Sequence, residues 1–149
     1  MPTAKNDLAK LTLLGHKAEP SKKLEAFPNH DPHRRYTITL MTDEFTCICP
    51  VTGQPDFATI TIKYIPDQSV VESKSLKLYL WSYRDEGVFH EHVTNTICDD
   101  LVKALDPHWI EVTGAFKVRG GIAITVVASH EKKAPLAKAA SAQRRRVAR

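Results

Sequence analysis

No apolar run in this chain approaches the roughly 20 residues that a membrane-crossing helix needs, so the sequence encodes no such span. The N-terminus, where Lys5, Asp7 and Lys10 precede only a short patch from Leu11 to Leu14, lacks the layout of a secretion signal. Glycine is scarce, six in 149 residues, and no G-x-G-x-x-G opens a helix, because Gly120 and Gly121 fall between strands. That excludes the βαβ mode of dinucleotide binding. Cysteine is scarcer still. Cys47, Cys49 and Cys98 make an odd number, which points to reduced thiols in a cytoplasmic protein. Neither a C-x-x-C pair nor an H-x-x-x-H run marks a zinc site, so no metal is expected. Outside one end, excess positive charge is missing too. The formal net charge is +4, yet residues 131–149 hold seven Lys or Arg against one acid, +6, which leaves −2 for residues 1–130. That body also lacks interleaved aromatic and basic residues on its strands, so it offers no footprint for direct RNA binding.

A length of 149 residues fits one domain. Residues 1–33 carry scattered charges and Pro20, Pro28 and Pro32 without a sustained period, and read as an arm over the surface. Residues 131–149, rich in Ala, Lys and Arg, read as a basic, disordered tail. Between them, residues 34–130 change period twice. Tyr36, Ile38 and Leu40, then Ala58, Ile60, Ile62 and Tyr64, alternate with polar residues as strands do. Leu76, Leu80 and Tyr83, then Val93, Ile97, Leu101 and Leu105, recur at helical spacing until Pro107. Ile110 and Val112, then Ile122, Ile124 and Val126, return to alternation across Gly120 and Gly121. The order strand-strand-helix-helix-strand-strand predicts an α+β fold, an antiparallel sheet with two helices on one face. The two edges of such a sheet need covers or partners.

The segment with the most chemistry is Cys49-Pro-Val-Thr-Gly-Gln-Pro-Asp56. Its prolines fix their own φ and bias Cys49 and Gln54 towards extended geometry, while Gly53 permits a positive φ. A cysteine and a carboxylate at the two ends of a stiff loop are the layout of a nucleophile and its proton donor.

With Glu44, Phe45 and Thr46 before this loop and Phe57 after it, the chain resembles the short, single-domain type of the NADPH-dependent 7-cyano-7-deazaguanine reductases, the nitrile reductases of queuosine biosynthesis. Glu72-Ser-Lys-Ser-Leu-Lys-Leu-Tyr79 and Phe89-His90-Glu91 supply two further motifs in the family's order. The likeness covers residues 34–130. It implies the tunnelling fold, in which sheets of several subunits join into a barrel, the rings self-associate in pairs (a decamer), and active sites lie between subunits.

The resemblance also assigns roles. Cys49 adds to the nitrile as a thiolate to give a thioimide, and Asp56, kept protonated in a partly desolvated pocket, supplies the proton. Glu91 accepts from the ring N–H and exocyclic amine of 7-cyano-7-deazaguanine, His90 contacts the same heterocycle or the reacting nitrogen, and Phe89 stacks on the ring. Val71, Glu72 and Ser73 line the pocket from the other side. Lys74 and Lys77, three residues apart near a helix N-terminus, suit the extra phosphate of NADPH. The rival reading is a zinc-dependent pterin or purine cyclohydrolase of the same fold, with Cys49, His90 or His92, and Cys98 as ligands.

Overall fold

A computed structural model describes residues 18–133. Of the tail expected over residues 131–149, residues 134–149 lie outside the described residues, as do residues 1–17 of the expected arm, whereas Glu131 pairs with Trp109 in the sheet. The elements are β1 (Ala26–Pro28), β2 (Ile38–Ile48), β3 (Pro55–Ile65), β4 (Ser69–Val71), α1 (Ser73–Trp81), α2 (His90–Leu105), β5 (Trp109–Arg119) and β6 (Ile122–Glu131). β2, β3, β5 and β6 form one antiparallel sheet in that spatial order. Both helices cover one face, as the period changes predict.

Two short strands were not foreseen. β1, inside the stretch read as an arm, pairs with β4 through Ala26 opposite Val71 and Pro28 opposite Ser69. Three residues carry too little alternation to read as a strand. β2 also begins later than expected, since the Tyr36 hydroxyl donates to Asn29 Oδ1 at 2.8 Å.

The core lies between sheet and helices. Val93, Ile97 and Leu101 of α2 are fully buried against Ile60, Ile62, Tyr64, Ile110 and Val112. Each such aliphatic residue stabilises the fold by about 1.5–3 kcal/mol over its exposed state. α2 ends at Asp106, which takes a left-handed φ of 44° and donates its N–H to Val102 O at 2.8 Å, just before Pro107.

Two bulges break the alternation. On β2, Asp43 and Glu44 stand opposite the single residue Thr59. Ile38 and Leu40 face the core before this bulge, whereas Phe45 and Cys47 face it afterwards. On β5, Lys117 and Val118 stand opposite Ala123 of β6. Phe116 is buried, Val118 is 62% exposed, and the inward place passes to Arg119.

Gly114 permits α2 to approach β5. A Cβ there would fall 2.6 Å from Thr94 Oγ1 and 3.0 Å from Phe116 Cε2. Thr94 also donates its hydroxyl to His90 O at 2.8 Å, so the first turn of α2 cannot yield without moving His90. Gly114→Ala is expected to lower stability by about 1–3 kcal/mol, the usual cost of overpacking, read as a reduced urea midpoint. An unchanged midpoint would show that this contact gives way freely.

Candidate active site

The Cys49 loop is a closed turn between β2 and β3. Cys49 donates its N–H to Gln54 O at 2.8 Å, and Gly53 returns one to Cys49 O at 2.9 Å. Gly53 has φ 69°, which is why a glycine stands there. A second clasp joins this loop to the approach of α2. Ile48 N–H donates to Glu86 O at 2.9 Å, and Val88 N–H donates to Ile48 O at 3.0 Å. The head of α2 is thereby brought to the nucleophile.

Asp56 leads the inward set of β3 and is 3% exposed. His90 Nε2 lies 3.1 Å from Asp56 Oδ2, and the His90 ring stacks on Phe116 with centroids 3.8 Å apart and planes at 10°. The other carboxylate oxygen accepts from Arg119 Nη1. Arg119 Nη2 donates to Gln54 Oε1 at 2.6 Å and sits 3.5 Å from Thr52 Oγ1. Thus Cys49, Asp56 and His90, all foreseen, converge with Arg119, Thr52 and Gln54 around one small volume. Arg119 was missed because alternation from Ile110 and Val112 assigns it to the outer face, and only the bulge reverses that. No sequence signal marks such a bulge.

The three thiols are tuned in opposite directions. The Thr52 hydroxyl and the Thr52 and Val51 backbone N–H groups, joined by Arg119, bring Cys49 down to about 7. Burial, with Asp56 and Cys49 nearby, pushes Cys47 up to about 11. Burial and Asp99 push Cys98 to about 11. Thiolate, the reactive form, therefore predominates at Cys49 above about pH 7 and disappears below it. Alkylation by iodoacetamide should mark Cys49 first, with a rate that rises to half its plateau near pH 7. A half-rise above pH 8.5, about the ordinary cysteine value, would contradict this tuning.

The other expected site residues fall into two groups. Phe89, 57% exposed, and the exposed Glu91 flank His90. The Glu91 carboxylate has no hydrogen bond or ion pair among the described residues. Val71, Glu72, Ser73, Lys74 and Lys77 lie elsewhere. Val71 N–H meets Tyr64 Oη at 3.2 Å, and Tyr64 is eight residues from Asp56 along β3, about 26 Å of strand. One chain therefore does not gather both groups into one pocket. Glu72 also has a task of its own. It is the N-cap of α1, its two carboxylate oxygens accepting from Lys74 N and Ser75 N at 2.7 Å each, and these N–H groups hold it below the usual carboxylate range. The helix N-terminus expected to receive a phosphate is thus already capped, and only the lysine side chains remain for that purpose. Ser73, Lys77, Trp81 and Arg84 wall a cleft of about 790 Å³ between α1 and β2.

The ligand set of the zinc reading is not assembled. Cys98 is buried eight residues along α2 from His90, about 12 Å of helix. Among the described residues no three His, Cys, Asp or Glu side chains stand close enough to hold a metal. Nor is any described helix long and apolar enough to cross a membrane.

Comparison with known proteins shows the family. The family described as QueF-like protein matches residues 55–135. The NADPH-dependent 7-cyano-7-deazaguanine reductase of Syntrophus aciditrophicus (strain SB) is 64% identical over 130 residues, 87% of this chain and 93% of that protein. The protein of the same name from Thermomicrobium roseum is 60% identical over 116 residues, 78% of this chain and 91% of its own length. The apo crystal structure of the archaeosine synthase QueF-Like superposes with a TM-score of 0.60 at 24% identity, over 66% of this chain and 96% of that one, which shows the shared tunnelling fold. A cysteine loop, a buried carboxylate and a sheet of this topology, in a chain so close to these relatives, make it a member of the QueF-like family of NADPH-dependent 7-cyano-7-deazaguanine reductases.

Proposed function

We propose that this chain is a cytoplasmic reductase that converts the nitrile of 7-cyano-7-deazaguanine to an aminomethyl group at the expense of NADPH, within queuosine biosynthesis. The observation that carries the reading is Cys49, its thiol lowered to about 7, set across one tight turn from a buried Asp56. A nitrile is a weak electrophile. The Cys49 thiolate adds to its carbon, so that a C–S bond replaces one C–N π bond, and the nitrogen takes a proton from Asp56. His90, 3.1 Å away, shares that proton and can restore it. The low pKa of Cys49 also makes it a good leaving group when the C–S bond breaks. Bound NADPH supplies the hydrides that take the carbon to the amine level.

Glu91, whose carboxylate has no partner among the described residues, accepts from the guanine-like edge of the substrate, and Phe89 covers its ring. Lys77 and Arg84 on the wall of the cleft, with Lys74 exposed beside them on α1, offer three cations to the phosphates of NADPH. Val71, Glu72 and Ser73 serve the pocket of a neighbouring subunit. Two observations support such an assembly. β2 and β6 are open sheet edges, and Met41, Phe57, Val118 and Val127 are exposed on the sheet face away from the helices. Rings joined through these edges, stacked as a decamer, would cover both. Residues 34–130 form the catalytic body, and the three free cysteines suit a reducing compartment.

The test is the intact mass after incubation with 7-cyano-7-deazaguanine and no NADPH. The expected result is a gain equal to the mass of the nitrile on the wild-type protein. An unchanged mass on folded, reduced protein would overturn the reading.

A further inference from the structure

Around Cys49 the titratable and charged groups are Cys47 on β2, Asp56 on β3, His90 at the head of α2 and Arg119 on β5; Glu86, from the segment clasped to Ile48, is turned to Lys22 at 2.9 Å. Arg119 is the one permanent cation among the four that face Cys49. One of its nitrogens engages the Asp56 carboxylate, and the other engages Gln54 and approaches Thr52, both in the nucleophile's own turn. We infer that Arg119 is the positioning residue of the site, clamping proton donor and nucleophile loop to a single planar group so that their separation is fixed before substrate arrives. The inference rests on the reductase reading above.

Three features support it. The guanidinium fork suits two acceptors held side by side, which a lysine cannot reproduce. The side chain of Arg119 is 36% exposed and that of Asp56 3%, so their bond is shielded and reaches into the site from its rim. The β5 bulge, with Val118 turned outward, has the evident effect of delivering Arg119 to this face. Arg119 also lies within electrostatic reach of the Cys49 sulfur, where it favours the thiolate.

Arg119→Gln and Arg119→Lys separate charge from geometry. With iodoacetamide, which needs no nitrile chemistry, Arg119→Gln should move the half-rise of Cys49 alkylation upward in pH, while Arg119→Lys stays near wild type. With 7-cyano-7-deazaguanine, both variants should form the mass adduct about tenfold more slowly or worse, the worth of one charged hydrogen bond. A merely structural role would not split the two variants in the alkylation profile. Adduct rates within twofold of wild type in both would overturn the inference, and so would alkylation profiles that do not differ. If wild type forms no adduct, the reductase reading fails, whereas the alkylation split still decides the role of Arg119. Should Arg119→Gln not fold, Arg119→Lys alone decides, since it must keep the wild-type alkylation profile and still lose adduct rate.

Discussion

Cys49→Ala is expected to reduce the turnover of 7-cyano-7-deazaguanine by about 10⁴-fold or more, as removal of an enzymatic nucleophile commonly does, and to leave the intact mass unchanged by the nitrile. No other thiol can stand in. Cys47 is fully buried and held near 11, and Cys98 lies in the core at about the same value. The alanine variant should still bind the heterocycle, since Phe89, His90 and Glu91 are untouched. Equilibrium binding with retained affinity and absent turnover is therefore the combined signature. Turnover within tenfold of wild type would refute covalent catalysis.

The second large effect belongs to Asp56→Asn. The amide keeps the shape and one acceptor oxygen for Arg119, but it has no proton to give the nitrile nitrogen. Loss of a positioned general acid typically costs about 10²–10⁴-fold. The loss should fall on the rate of adduct formation rather than on binding. It should also differ in kind from that of Cys49→Ala, because the nucleophile remains and a slow adduct still accumulates over hours. An adduct rate within threefold of wild type would show that the proton comes from elsewhere, with His90 the next candidate. Asp56 Oδ1 accepts from Arg119 and Oδ2 lies 3.1 Å from His90 Nε2, so the change to an amide should also loosen the hold on Arg119. The iodoacetamide profile of this variant reports that directly.

Much of this arrangement was legible before any coordinates. Alternation at Ala58, Ile60, Ile62 and Tyr64, and helical spacing from Val93 to Leu105, identified the elements because each buries one continuous face. The Cys49 loop was legible because its two prolines and one glycine constrain the backbone locally. What stayed hidden was non-local. Whether Val118 or Arg119 faces inward depends on an extra residue in the pairing with β6, which no local propensity encodes. The pairing of β1 with β4 depends on three residues meeting three others some forty positions away. The cap that Glu72 places on α1 follows a known rule for acidic residues before helices, yet the resemblance had reserved that carboxylate for a ligand. The distance between Glu72 and Cys49 is likewise a property of the folded sheet.

The two bulges make the position of this site a matter of counting. Along β2 and β5 the surface that a side chain meets is set by parity, and each extra residue resets the frame for everything that follows it. Deleting Thr46 alone would send Cys47 to the solvent face and carry the start of the Cys49 turn with it, whereas deleting Glu44 would only remove the bulge and leave Cys47 facing the core. Deleting Val118 would likewise straighten β5 and leave Arg119 opposite Ile122 on the inner face. Away from the two bulges, a deletion of one residue in either strand is thus a harsher insult than most substitutions within it. Both strands should tolerate altered letters more readily than an altered number of them.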